Sequence, residues 1–190
     1  MKTAISFATG MPRDIIPPSR KIPLIILIGL PGSGKSTLAQ HLCQTDPGRS
    51  LISTDQIRGQ LFGDEAEQGP WRLIERELHR QFREVREAIA TGQATEAIFD
   101  ATNAVRRNRR QILQLARQKG FTHLTGLWLD VPLPICLYRN ANRDRQVPET
   151  VIQSMYRCLE GAPPGLSEGF DQLIRYSGFS PLTPPQESVA

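Results

Sequence analysis

The stretch GLPGSGKST, Gly29 to Thr37, constrains this chain more than any other. It fits G-x-x-x-x-G-K-[S/T] at every fixed position and follows the continuous apolar run Ile22–Leu30. Such a loop turns backbone amides inward, and the helix that follows adds roughly half a positive charge at its N-terminus. Lys35 can then reach the β- and γ-phosphates of a nucleotide, and the Ser36 hydroxyl can serve Mg²⁺. Gly29, Pro31, Gly32, Ser33, Gly34 and Thr37 complete the expected nucleotide-binding loop. ATP with Mg²⁺ is the expected cofactor pair.

The remaining pattern says what surrounds the loop. IPLIILIGL is unbroken rather than alternating, as suits a central parallel strand buried on both faces. A helix from Gly34 should turn Leu38 and Leu42 inward. RSLISTD reads as a short strand, after which Ser53 or Thr54 caps a helix through Leu61. Trp71, Ile74, Leu78, Phe82, Val85 and Ile89 recur every three or four residues, which predicts a long amphipathic helix with all six packed inward, stopped near Gly92. His79 on this helix is read as structural.

EAIFDATN predicts a buried strand ending at Asp100, followed by a helix with Ile112, Leu115 and Ala116 inward. LTGLWLDVP adds a strand with Asp130 in the turn after it; Pro132 and Pro148 open two more helices, and FDQLIRY supplies the last strand. Strand and helix alternate throughout, which predicts an α/β fold of the P-loop NTPase type. The expected form is a three-layer sandwich, nucleotide-kinase-like, with a five-stranded parallel sheet and a helical lid.

The same order brings chemistry to one edge. Ligands of open α/β sheets bind at the carboxyl ends of the strands. The phosphate loop, Asp55 in STDQIRG, and Asp100 in FDATN all follow or end strands, so they should meet in one crevice. By themselves, Asp55 and Arg58 are equally a favourable first helical turn and a surface ion pair. Asp100 can bind Mg²⁺ through water or face an acceptor, and Asn103 can cap the next helix. No N-K-x-D guanine signature is present, and no D-E pair ends a strand as in a motor ATPase. A compact kinase fits better.

The series GLPGSGKST, STDQIR, FDATN, RNANRDR, VPETVIQSMYRCLE and EGFD, in this order, resembles the small P-loop kinases related to the 5′-kinase domain of polynucleotide kinase. The resemblance runs from Ile25 to about Tyr176. It implies that Asp55 accepts the proton of an attacking hydroxyl and that Arg58 holds a phosphate of the acceptor. It implies further that Asp100, Thr102 and Asn103 shape the acceptor side. Arg143, with Arg139 beside it, corresponds to the lid arginines that grip the nucleotide and the transferring phosphoryl group. Residues 139 and 143 are four apart, so a helix would put both on one face and point Arg145 elsewhere.

Charge and composition narrow the partners. Lys plus Arg number 23 against 19 Asp plus Glu, a net charge of +4 that favours phosphate-bearing partners weakly. Arg106, Arg107, Arg109, Arg110, Arg117 and Lys119 form an acid-free run, read either as a solvated helix face or as a contact for a nucleic-acid backbone. No aromatic residue interleaves with it. Cys43, Cys136 and Cys158 show neither metal-ligand nor disulfide spacing, and no apolar run is long enough to span a membrane, so a cytoplasmic protein is expected. Residues 1–20 and 180–190, rich in proline, are expected to be disordered tails around a kinase domain of residues 21–179.

The expected activity is transfer of the ATP γ-phosphate to a hydroxyl, foremost a 5′-hydroxyl of RNA, DNA or a nucleotide. A small metabolite or nucleoside is the alternative acceptor. An ATP-binding regulatory module with little transferase activity is the alternative of another class.

Overall fold

In the computed structural model, residues 21–177 are described; both expected tails lie outside them. Five strands, β1 (Pro23–Ile28), β2 (Arg49–Ser53), β3 (Glu96–Asp100), β4 (His123–Leu129) and β5 (Gln172–Tyr176), form one sheet. Their order is β2-β3-β1-β4-β5, and every pairing is parallel. The chain leaves central β1 toward one edge and later crosses to the other, so the carboxyl end of β1 is where the winding reverses.

The strands alternate sides as their burial requires. Leu27 and Ile98 meet Ala39 on one face, with Leu42 and Cys43 beside them, all from α1 (Lys35–Thr45). Leu24, Ile26, Ile28, Ala97 and Phe99 point to the other face. There they meet α3 (Trp71–Thr91), α4 (Arg106–Gln118) and α6 (Glu149–Gly161). The result is the three-layer α/β architecture that the alternating pattern predicts. At the centre of the larger face, the Phe82 ring of α3 sits edge-on to Phe99 at 5.6 Å and to Phe121 at 5.7 Å.

Two short helices complete the site edge. In α2 (Thr54–Phe62), the Ser53 hydroxyl caps the N-terminus by accepting from the Gln56 amide. Helix α5 is Leu133–Ala141, with Pro132 just before it. One expectation about α3 fails: Trp71 is 54% exposed, whereas Ile74, Leu78, Phe82 and Ile89 are buried and Val85 is half-buried. Trp71 is the first residue of the helix and lies outside the core cluster that the rest of the stripe joins.

Candidate active site

Each phosphate-loop residue has a distinct place. Gly29 donates its amide to the Thr102 carbonyl at 3.0 Å, which ties the start of the loop to the segment after β3. Gly32 has φ +79, and a Cβ there would overlap the Cys136 carbonyl oxygen in α5, so only glycine fits. Gly34 is also left-handed and precedes α1. Pro31 and Ser33 are buried, while Ser36 and Thr37 open α1 with exposed side chains.

The Lys35 ammonium lies folded over this loop. It donates to the Leu30 carbonyl at 2.8 Å and to the Ser33 hydroxyl at 3.3 Å. Burial pushes its pKa down to about 8, although Asp100 and Asp55 pull the other way. Arg143 also acts on Lys35, so both acids and the lid arginine lie within electrostatic reach of the ammonium.

Asp100 ends β3 and is buried. Burial raises its pKa, opposed by a hydrogen bond with the Ser36 side chain and by the Lys35 charge. A hydroxyl and a carboxylate meeting beside a phosphate loop are the hard oxygen donors Mg²⁺ takes when phosphates and waters complete its shell. Among the described residues, no group of three or more His, Cys, Asp or Glu side chains could hold a metal ion alone. The Ser36–Asp100 pair fits an ion shared with a nucleotide, not a protein cage.

Asp55 lies in the first turn of α2, where the helix dipole favours a carboxylate. Arg58 Nη1 donates to Asp55 Oδ1 at 2.6 Å. The Arg58 side chain is only 14% exposed, against 46% for Asp55. Its Nε is buried with no hydrogen-bond partner. The side chain therefore keeps one buried donor without a partner at an otherwise packed position.

The lid departs from expectation. Helix α5 stops at Ala141, so Arg139 is helical while Arg143 lies in the bend beyond. The two do not share a helix face. Asn142 ends the helix, donating its side-chain amide to the Tyr138 carbonyl at 2.8 Å. Asn140 closes the bend at its base: its Nδ2 donates to the Val147 carbonyl at 2.8 Å, and its Oδ1 accepts from the Val147 amide at 3.0 Å. Arg145 does not point away; Nη1 lies 3.0 Å from Asp55 Oδ2 and 3.7 Å from Glu65. Partial burial and the neighbouring Arg145 lower the Arg143 pKa below the usual arginine range.

Two residues of the segment after β3 turn inward. Asn103, at φ 48, donates Nδ2 to the Leu27 carbonyl at 2.7 Å, and Val105 rather than Asn103 occupies the N-cap of α4. Asn103 braces the segment against β1, while Thr102 gives its carbonyl to Gly29. Arg109 is the second surprise. Read as part of a solvated or nucleic-acid-binding face, it is fully buried. It forms a bidentate pair with Glu168 at 2.8 and 2.7 Å and also donates to the carbonyls of Asn103, Ala104 and Ala162. Arg106, Arg107 and Arg110 remain exposed.

Most of the expected site residues border one cleft of about 1660 Å³. Its lining includes the phosphate loop, Asp55, Arg58, Asp100, Thr102, Asn103, Arg139, Arg143 and Arg145. Trp71, Glu75 and His79 of α3 line it too; spacing assigns Trp71 to the core and leaves His79 as structural, and gives Glu75 no role. The unbroken apolar stripe concealed Trp71; its place directly after Gly69-Pro70, at a helix start, was the available signal.

Comparison with known proteins follows the same lines. Residues 24–162 match the AAA_33 family, described as an AAA domain. The L-seryl-tRNA(Sec) kinase of Methanococcus maripaludis is 29% identical over 153 residues, covering 78% of this chain and 56% of that protein. The human L-seryl-tRNA(Sec) kinase is 29% identical over 202 residues, covering 76% and 57%. The chain thus spans little more than half the length of these relatives. A chain of the Pnkp1/Rnl/Hen1 RNA repair complex superposes with a TM-score of 0.62 at 21% identity, covering 77% of this chain and 46% of that one. At that identity the likeness concerns the fold.

Proposed function

The chain belongs to the AAA_33 family, and from that premise we propose that it is an ATP- and Mg²⁺-dependent kinase that phosphorylates a hydroxyl carried by a polynucleotide or nucleotide, foremost a 5′-hydroxyl. The observation that carries this reading is the Asp55–Arg58 pair. A half-exposed carboxylate stands beside an arginine with an unpartnered buried Nε, in the cleft that also holds the phosphate loop.

The roles follow from charge and reach. Asp55 accepts the proton of the attacking hydroxyl. Arg58, which lines the same cleft, holds a phosphate next to that hydroxyl. Lys35 swings from the Leu30 carbonyl to the β- and γ-phosphates, and Arg143 with Arg139 closes over the transferring group from the lid. Ser36 and Asp100 would hold Mg²⁺, which supplies charge neutralisation on the phosphates. Thr102 and Asn103 set the acceptor-side wall through the backbone positions they brace.

A second acceptor is supported by the relatives named L-seryl-tRNA(Sec) kinase: the serine hydroxyl of an aminoacylated tRNA. Transfer of labelled γ-phosphate to 5′-hydroxyl oligonucleotides, seryl-tRNA, nucleosides and a metabolite panel separates these. Labelling of the oligonucleotide is expected. Binding of ATP with no acceptor labelled would leave the chain an ATP-binding module and sink the kinase reading.

A further inference from the structure

An exposed tryptophan on the wall of a catalytic cleft asks for a ligand. Trp71 begins α3, its backbone pinned by the Leu73 amide bonding to the Pro70 carbonyl at 3.0 Å, yet the side chain is 54% exposed. It lies on the apolar line of the helix by spacing, but beyond the core that line serves. The cleft that it borders also contains Asp55 and Arg58. Glu75 and His79 follow one and two turns later on α3 and line the same cleft. Helix α4 contributes Asn108 and Gln111, both exposed.

We propose that Trp71 is the stacking platform for the nucleobase adjacent to the acceptor hydroxyl, with Glu75, His79, Asn108 and Gln111 available to its polar edge. This rests on the kinase reading above and deepens it by naming a base as part of the acceptor. The chemistry is complementary. A flat, rigid indole on a helix start offers a π-face to any base, which single-strand binding sites use without sequence preference. Amide, carboxylate and imidazole groups donate to or accept from base edges. Arg58 supplies the cation for the neighbouring phosphate, so the base and phosphate of one nucleotide would be held from two helices.

The test compares Trp71→Ala and Trp71→Phe with wild type on two acceptors. One is a 5′-hydroxyl oligoribonucleotide with adenine at its terminal position; the other is the same oligonucleotide with an abasic terminal residue. Wild type should show a KM roughly five- to a hundredfold higher for the abasic acceptor, the range stacking on an aromatic provides. Trp71→Ala should raise KM by a similar factor on the adenine acceptor, leave kcat nearly unchanged, and add nothing on the abasic one. Trp71→Phe should fall between. An equal loss on both acceptors, or no loss on either, overturns the proposal.

A direct titration keeps the proposal separable from the kinase reading. Adenosine 3′-monophosphate should quench the fluorescence of wild type but not of Trp71→Phe, with buried Trp128 as constant background. Quenching without phosphate transfer to any acceptor would retain the base subsite and remove the kinase. Transfer without quenching or base dependence would do the reverse.

Discussion

Arg145 reaches across 90 positions of sequence to place Nη1 3.0 Å from Asp55 Oδ2, so the bend after α5 touches the proposed base. Asp55 is thereby held by two guanidinium groups, one from its own helix and one from the lid. On the kinase reading proposed above, this contact opens before a hydroxyl reaches that oxygen. Both partners are about a third or more exposed, so the ion pair is worth about 1 kcal/mol or less. Arg145→Ala should shift the thermal midpoint by no more than a few degrees and lower transfer far less than loss of Asp55 does. Calorimetry and steady-state kinetics on the same preparation check both halves.

Asp55→Asn keeps the shape and the cap of α2 but removes the proton acceptor. Transfer should fall by about 10²-fold or more, while ATP affinity stays within a few-fold. Equal loss of ATP binding would make Asp55 a nucleotide or metal residue.

Arg58→Ala should act on the acceptor instead. Its KM should rise by about tenfold or more for acceptors carrying a phosphate beside the hydroxyl, because a charge-assisted contact is lost. A nucleoside without that phosphate should show little change. Competition between the two acceptors in one tube measures the difference without reference to enzyme concentration.

Lys35 links pH to stability. Its pKa falls from the ordinary 10.5 to about 8 in the folded protein because burial disfavours the charged form. Between those values the unfolded chain keeps a proton that the folded chain has released, so stability rises with pH across the window. Below about pH 8 the buried charge is fully destabilising. Lys35→Met should therefore raise the thermal midpoint of the free protein near neutral pH, flatten its rise toward alkaline pH, and abolish transfer. Parallel pH slopes for the two proteins would contradict this account.

Arg109 and Glu168 test the packing behind the site. Removing one member leaves the other charge buried and unpaired, at a cost of about 3–5 kcal/mol. Glu168→Met and Arg109→Met should each move the urea midpoint strongly, and the double variant Arg109→Met with Glu168→Met should recover part of the loss. Equilibrium unfolding of the three variants gives the coupling.

Legibility from sequence followed how local the cause was. The phosphate loop, the position of Asp55 and Asp100 at strand ends, and the parallel sheet all depend on short spacing and strand–helix alternation, so they could be read directly. Arg109 could not. Its burial depends on Glu168, 59 residues away, and on carbonyls from two segments. Within an acid-free arginine run it looked like its solvated neighbours. Arg139 and Arg143 were placed on one helix because their spacing permits it. The helix ends sooner, at Ala141, where the Asn142 side chain donates to the Tyr138 carbonyl and the chain turns back toward Val147. Trp71 shows the converse limit, since correct helical spacing does not say where the core ends.

The Asn140–Val147 clasp has a consequence for how the arginines between its ends are held. Six residues, 141–146, emerge from and return to a single doubly hydrogen-bonded gate. Gly32 rests on the main chain of α5 at Cys136, so the phosphate loop does not depend on α5 side chains there. One side-chain amide thus fixes both ends of the bend that carries Arg143 and Arg145, while Arg145 within it still reaches Asp55.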